Sequence, residues 1–385
     1  MKKKLILLFF LSHISLFSQK VITKKFKSDE LKSTRDLKIF LPKGYVKDST
    51  TNYPLTIILD DEKLANLYVA NATLFVRADI TPKQIVVSIN TTKTANLDFG
   101  FHRDNDQLTK SSQNFQYFIK DELIPYMDAN YKTSPFLTIV GEGLSANFIT
   151  YFLKERTPIF NAYVCINPLL PIGINQNINA YALKRYEKED NEFYFYLSNN
   201  PFNNNTKKEK IVGLASFLNN LSIKNFHIKI DDFKNAPSYV SALSEAIPRS
   251  QTKIFEKYAG ISKKEFEKNI KDLLPLDAIE YLEKKYIDIE FLFGTNLGIR
   301  TQDIYAIEDI IIDKENGDYL KIFGKMILNL YPKSPLGNYY IGKYYESGKL
   351  YNRALKEYKI AYSKFEPSDP NAELFYENIL RLTNR

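Results

Sequence analysis

The chain has 385 residues, of which 44% are hydrophobic and 14% aromatic, so it can bury a substantial core and is not a disordered or low-complexity polymer. Its 53 basic and 45 acidic side chains give a net charge of +8. Basic and acidic residues are interspersed, as in Lys263-Lys264-Glu265-Phe266-Glu267-Lys268, a solvated helical pattern that argues against a nucleic-acid-binding stripe. The single cysteine, Cys165, excludes an intramolecular disulfide and lies in an apolar run, Ala162-Tyr163-Val164-Cys165-Ile166, where it reads as a small buried hydrophobe.

Residues 1–18 join Lys2-Lys3-Lys4 to the apolar run Leu5 to Leu11 and are followed by Gln19, the pattern of a secretory leader cleaved before Gln19. Its loss lowers the net charge from +8 to +5. The run is too short and interrupted to span a membrane, and no cysteine follows at a lipoprotein position. The expected product is an exported protein in the periplasm or at the cell surface, with no integral membrane span.

Tyr53-Pro54-Leu55-Thr56-Ile57-Ile58-Leu59-Asp60 and Ile85-Val86-Val87-Ser88-Ile89-Asn90 read as apolar strands, and Ser112 reads as the N-cap of the helix that follows. Leu137-Thr138-Ile139-Val140 is a short β-branched run, then comes Gly141-Glu142-Gly143-Leu144-Ser145, then the helical spacing of Asn147 to Leu153. Strand, small-residue turn and helix in that order form the context of a nucleophile elbow, Gly-x-nucleophile-x-Gly, in which small residues let strand and helix pack closely. The nucleophile's position holds Gly143, and glycine offers no oxygen to attack a carbonyl.

The segment Phe115 to Thr133, containing Glu122-Leu123-Ile124-Pro125-Tyr126-Met127-Asp128, resembles the "ELIPYID" helix before the catalytic strand in the esterase D-like, enterochelin-esterase-like putative esterase family. Tyr53 to Asp60, Ile85 to Asn90 and Phe160 to Pro168 are similar, in order, to its "LLDG", "VVGI" and "SPS"-leading strands. The resemblance covers most of residues 20–255. It implies an α/β fold of the α/β-hydrolase type, a mostly parallel central sheet flanked by helices. It also implies a serine triad in which the acid follows the nucleophile and the histidine comes last.

The triad positions depart from that pattern. After the strand Phe193 to Ser198 comes Asn199-Asn200-Pro201-Phe202-Asn203, with Asn200 at the acid's place and no carboxylate. The family's "DHGSVP" aligns with Asn235-Ala236-Pro237-Ser238-Tyr239-Val240, which puts Ala236 where a neutral imidazole must take the serine proton. Fallback candidates are Ser145 as a displaced nucleophile, with His227 in the strand Phe226 to Ile230 or His102 in the polar loop Phe101 to Asp106 as base. Ser145 also reads as the small residue that the turn requires, and His227 as a strand histidine. In the cleft and oxyanion region, Asp60 and Asp61 replace a glycine-containing turn, and Glu142 and Leu144 flank Gly143. Carboxylates there disfavour a developing oxyanion, and the acids read as a solvated turn without a metal-liganding pattern.

Beyond about residue 255 helical periodicity takes over, through Lys263 to Leu274 and Asp277 to Ile289. Asn338-Tyr339-Tyr340-Ile341-Gly342-Lys343-Tyr344-Tyr345, then Ala354, Tyr358 and Ala361, has tetratricopeptide spacing: Gly342, Ala354 and Ala361 let helices approach, and Ile341, Tyr345 and Tyr358 fill the seam. A degenerate copy precedes it, with Gly317-Asp318-Tyr319-Leu320 at its turn, and Glu373 to Leu380 reads as a cap. The expected organisation is a leader at 1–18, an α/β-hydrolase domain at 19–258, a helical linker at 259–300 and an all-α, tetratricopeptide-like (TPR-like) region at 301–385.

Two functions remain open. One is a catalytically inactive relative of the esterases, a binding or scaffolding subunit of the cell envelope whose protein partner uses the helical repeats or the vacant cleft. The other is a serine esterase for carboxylic esters, acylated sugars or siderophore-type esters with a non-standard nucleophile. No cofactor, metal or nucleic acid is expected in either.

Overall fold

The computed structural model describes residues 20–47, 51–60, 62–174, 178, 183–294, 298–315, 317–366, 369 and 371–384. The expected leader at 1–18 and Asp61 lie outside them.

The strands are β1 (Lys20–Ser28), β2 (Ser33–Leu41), β3 (Tyr53–Asp60), β4 (Ile85–Asn90), β5 (Thr133–Glu142), β6 (Ala162–Ile166), β7 (Phe193–Asn199) and β8 (Phe226–Asp232). They form an eight-stranded sheet in the order β1-β2-β4-β3-β5-β6-β7-β8. The β1–β2 and β2–β4 pairs are antiparallel, and every other neighbouring pair is parallel. Strands buried on both faces need continuous apolar runs, which is why β3 to β7 carry so few polar residues.

Alternation along each strand divides the interior in two. Ile57, Ile139, Tyr163 and Phe195 face one core, and their neighbours Ile58, Val140, Val164 and Tyr196 face the other. Helix α1 (Glu62–Arg77) covers the second face, placing Leu64, Ala65 and Tyr68 in its core. After the short α2 (Ala95–Asp98), the first face is covered by α3 (Lys110–Tyr117), a π-helical segment at Phe118–Leu123 and α4 (Ile124–Asn130). The widening to π geometry ends just before Pro125, whose ring has no N–H to give the carbonyl of Asp121. The N-cap of α3 is Thr109 and not Ser112: Thr109 Oγ1 accepts from the Ser112 amide, while Ser112 Oγ donates to the Gly100 carbonyl at 2.7 Å. Ser112 is fully buried in that bond, so the residue that flanks the turn does the capping.

Helix α5 (Leu144–Thr150) leaves β5 through Gly143, α6 (Asn205–Asn219) follows β7 on the first face, and α7 (Tyr239–Ile254) follows β8 on the second. The rest is helical: α8 (Lys263–Asn269), α9 (Pro275–Phe293), α10 (Thr301–Glu315), α11 (Leu320–Leu330), α12 (Pro335–Ser347), α13 (Tyr351–Ser363) and α14 (Ala372–Thr383).

The segment 259–300 contains α9, a helix shared between two cores. Its first half gives Ala278, Ile279, Leu282 and Tyr286 to the helical core with Ile304, Ile307, Phe323 and Ile327. Its last turn gives Ile289, Leu292 and Phe293 to the sheet's second core. Phe293 packs against Phe136 of β5 with the rings tilted at 59° and their centroids 4.9 Å apart, and Arg300 pairs with Asp79 while its guanidinium lies 4.6 Å from the centroid of the Tyr258 ring. The helical array is thereby fastened to the sheet.

At the far end α12 and α13 form a helical hairpin. A Cβ at Gly342 would stand 2.6 Å from the Tyr358 ring, so the pair packs at a distance only glycine allows. Ile341, Ala354, Tyr358 and Ala361 are buried in this part of the molecule, Tyr345 is half-buried, and Tyr358 donates to Glu346 at 2.8 Å. Asn338, standing where the repeat pattern favours an aromatic, donates to Glu357 across the hairpin at 2.7 Å. No helix among the described residues is long and apolar enough to cross a membrane.

Phe293→Ala is expected to cost about 3–5 kcal/mol by removing the aromatic contact that joins α9 to β5. The exposed neighbouring change Phe291→Ala should stay within about 0.5 kcal/mol. Denaturant midpoints of the two variants check the difference.

Candidate functional site

The carboxyl ends of the parallel strands meet at Gly143. Register places Leu59 beside Gly141 and Glu142 beside Ile166, so β3, β5 and β6 end together. Gly143 has φ +61° and ψ −113°, a conformation that side chains of L residues rarely adopt. Its N–H donates to the Ile166 carbonyl, and its carbonyl accepts from the amides of Asn147 and Leu169. Nothing lies within 4 Å of where a Cβ would stand. The turn is therefore held from both sides while the space for a nucleophile's side chain is open.

Gly141 shows the reverse, since a Cβ there would meet Ser145 Oγ at 2.7 Å and Ile149 Cδ1 at 2.9 Å. Ser145 is 2% exposed, and its Oγ both donates to the Glu142 carbonyl and accepts from the Glu142 amide at 2.9 Å. That hydroxyl ties strand to helix and faces backbone.

At the end of β7 the acid's position is occupied by a neutral amide network. Asn203 Nδ2 donates to Asn199 Oδ1 at 2.7 Å and to Asn167 Oδ1 at 2.6 Å. The Asn200 amide donates to Asn199 Oδ1, and Asn200 Oδ1 accepts from the Phe202 amide. Asn167, with φ +46°, comes from the turn after β6. Glu142, Asn167, Asn199, Asn200, Phe233 and Tyr239 line a residual cavity of only about 10 Å³, space for about one water. Ala236, expected from the sequence at the histidine's position, is in the loop between β8 and α7 and packs against the second core.

His227 lies near the start of β8, beside Tyr194, whereas the Gly143 turn follows the strands' other ends. Five residues of strand separate it from Asp232, roughly 16 Å at about 3.3 Å per residue. Its Nε2 bonds Glu192, which also pairs with Lys257. His102 is exposed on the loop closed by the Phe101–Leu108 bridge, and its amide donates to the Gln107 carbonyl. Asp60 ends β3 at the same edge as Gly143, paired in register with Asn90.

Beside the turn opens a cleft of about 590 Å³, with Leu144, Leu169, Leu170, Pro171 and Ile172 as its apolar wall. Arg103, Lys207 and Lys210 bring positive charge to it, with Asp106 as the carboxylate. Asp106 accepts from the Gly173 amide at 2.7 Å, and Lys210 donates to the Leu170 carbonyl at 3.2 Å. Burial pushes the Lys207 ammonium down from its usual range, against the pull of the Glu142 carboxylate. Sequence reasoning missed Asn167, Asn203 and the three cations; the density of asparagines from 199 to 205 was the one visible signal. Among the described residues no group of three or more His, Cys, Asp or Glu is placed to hold a metal ion.

Residues 28–161 match the family model described as "Putative esterase". The match includes the Gly143 turn and stops before the acid and histidine positions. Solved structures share the fold. An uncharacterised protein from Capnocytophaga ochracea DSM 7271 is 23% identical with a TM-score of 0.80, and the alignment covers 95% of this chain and 100% of that one. The combination of sheet and helical array thus recurs there. An IroE-like serine hydrolase from Shewanella oneidensis is 19% identical over 81% of this chain and 98% of its own, with a TM-score of 0.57. The BES protein from Bacillus cereus is 15% identical over 66% and 99%, with a TM-score of 0.53. No curated protein matches the chain. The fold is therefore that of the esterase-like α/β hydrolases, with an all-helical C-terminal region.

Gly143→Ser is expected to cost about 1–3 kcal/mol through its backbone conformation alone, since its side chain meets open space. Ser145→Ala should cost about 1–2 kcal/mol through its lost bonds to Glu142. Thermal and denaturant unfolding measure both. At Glu192, burial pushes the carboxyl up, and the bonds from His227 and Lys257 outweigh it, holding the group down at about 2. Its contribution to stability is complete above the ordinary value of 4.5 and is lost as pH falls towards about 2. Glu192→Gln should flatten that acid limb in a pH series of denaturant midpoints.

Proposed function

We propose that this chain is an exported esterase-fold protein that has lost the serine-hydrolase reaction and serves as a binding or scaffolding subunit of the cell envelope. The observation that carries this reading is Gly143, seated in the turn with room for a side chain it does not possess. Two further features support it. Acyl transfer needs a base that accepts the nucleophile's proton and a carboxylate that holds the base in its working tautomer. Ala236 and the Asn199–Asn200–Asn203 network offer neither.

Ser145 and His227 do not supply a substitute. Ser145 is committed to Glu142, and His227 stands at the opposite end of the sheet. Without a reaction to perform, the cleft beside Leu144 retains the features of a ligand site: concavity, an apolar wall and a few polar groups at its mouth. The helical hairpins beyond α9 give a second surface for a protein partner, as TPR-like arrays do.

The reading is tested by labelling. Turnover is a poor readout, because binding and an oxyanion hole alone leave roughly 10³–10⁴-fold catalysis over water. The purified protein treated with a fluorophosphonate is expected to give no serine adduct by mass spectrometry. Gly143→Ser alone should remain unlabelled for want of a base, whereas Gly143→Ser/Asn200→Asp/Ala236→His should gain an adduct at position 143. A stoichiometric adduct on Ser145 or another serine of the unaltered chain, dependent on the folded state, would sink the proposal and restore the esterase.

A further inference from the structure

At the end of the sheet opposite Gly143, where β4 begins, a cavity of about 560 Å³ lies between the last turns of α1 and the loop after β2. Val69, Ala72, Val76 and Val86 form an apolar wall. Lys43, Arg77 and Lys83 stand around it, and none of them has a carboxylate partner among the described residues. Lys83 Nζ is drawn over the loop, 3.7 Å from where a Cβ at Gly44 would be. Arg77 offsets the carbonyl end of α1, so Lys43 and Lys83 supply the field that remains. On the same lining is Gln84, 5% exposed, whose Oε1 accepts from Thr56 and Tyr68 while its Nε2 has no protein partner.

A second cavity of about 570 Å³ adjoins the first and shares Pro42 and Gly44 with it. Its lining adds Ile22, Leu41 and Val46 as apolar surface and Lys20 and Lys47 as cations. Among the described residues no Asp or Glu lines either cavity. In a chain with 45 acidic residues to 53 basic ones, two adjoining cavities whose described lining has five cations and no carboxylate depart from the mixed charge found elsewhere. The cleft beside Gly143, for comparison, contains Asp106.

We propose that this pair of cavities binds a single-chain amphiphile with an anionic head, a fatty-acid-like carboxylate. The acyl chain lies along the valine wall and continues past Pro42, and the carboxylate faces Lys43 and Lys83. An apolar wall gives such a ligand its affinity through buried area, and unpaired cations at the rim select the charged head over a neutral one. The site uses no residue of the Gly143 turn, so it stands whether or not the hydrolase reaction has been lost.

Titration calorimetry of the full-length protein with dodecanoate, dodecanol and inorganic phosphate tests it, each amphiphile kept below its micelle concentration. Dodecanoate should bind with one-to-one stoichiometry, about tenfold or more tighter than dodecanol, and phosphate more weakly than either. Lys83→Glu and Lys43→Glu, both on exposed loops, should each weaken dodecanoate about tenfold while leaving the unfolding midpoint in place. Lys207→Glu, in the cleft beside Gly143, should leave it unchanged. Equal binding of dodecanol, absence of dodecanoate binding, or indifference to both loop variants would overturn the proposal. Loss in Lys207→Glu alone would overturn it too, by moving the amphiphile to the other cleft.

Discussion

Everything in this molecule is positioned by β5. It pairs in parallel with β3 on one side and β6 on the other, and its residues enter the two cores alternately, Ile139 to one and Val140 to the other. A slip of one residue would exchange the faces of the whole strand, so packing alone fixes where β5 ends. The Gly143 turn stands at that end. Its place is a consequence of the core and does not depend on whether the turn carries a nucleophile.

The same reasoning applies to the charges. A working triad keeps a carboxylate ionised in a partly buried position, which is costly without a cation or several donors to compensate it. Here the end of β7 is built from Asn199, Asn200 and Asn203, and Asn203 donates hydrogen bonds to Asn167 at 2.6 Å and to Asn199 at 2.7 Å. A neutral network satisfies the turn without a buried charge of its own, and the carboxylates of Glu142 and Asp232 sit at its edges. Positive charge stands in the neighbouring cleft, on exposed Arg103 and half-buried Lys207 and Lys210.

The parts of this arrangement legible in the sequence are those with strong local signals. The apolar runs at Tyr53 to Asp60, Ile85 to Asn90 and Phe193 to Ser198 became β3, β4 and β7 because strands buried on both faces leave no room for polar residues. The turn at Gly141 to Ser145 was visible because close packing restricts it to small residues. β1 and β2 were not recognised. They form the antiparallel edge of the sheet, and a lysine-rich strand such as Lys20–Ser28, with mostly exposed or half-buried side chains, lacks a core-facing run. Thr109 was passed over for Ser112 because either hydroxyl fits the cap pattern, and only the Gly100 carbonyl, folded against Ser112, decides between them. The asparagine network and the two basic cavities were illegible for a different reason. They join residues tens of positions apart, and nothing in a linear sequence says which of many surface lysines lacks a partner.

The helical array adds a constraint of its own. Two helical hairpins and a cap bury little by themselves, and arrays of this kind gain stability by stacking on a neighbour. In this chain the neighbour is the sheet. Phe293 of α9 meets Phe136, near the start of the strand that leads to Gly143, and Phe255 and Tyr258 close around the Phe293 ring. Stabilising α9 therefore stabilises β5, because the aromatic cluster and the Arg300–Asp79 pair tie the array to the domain that holds the strand.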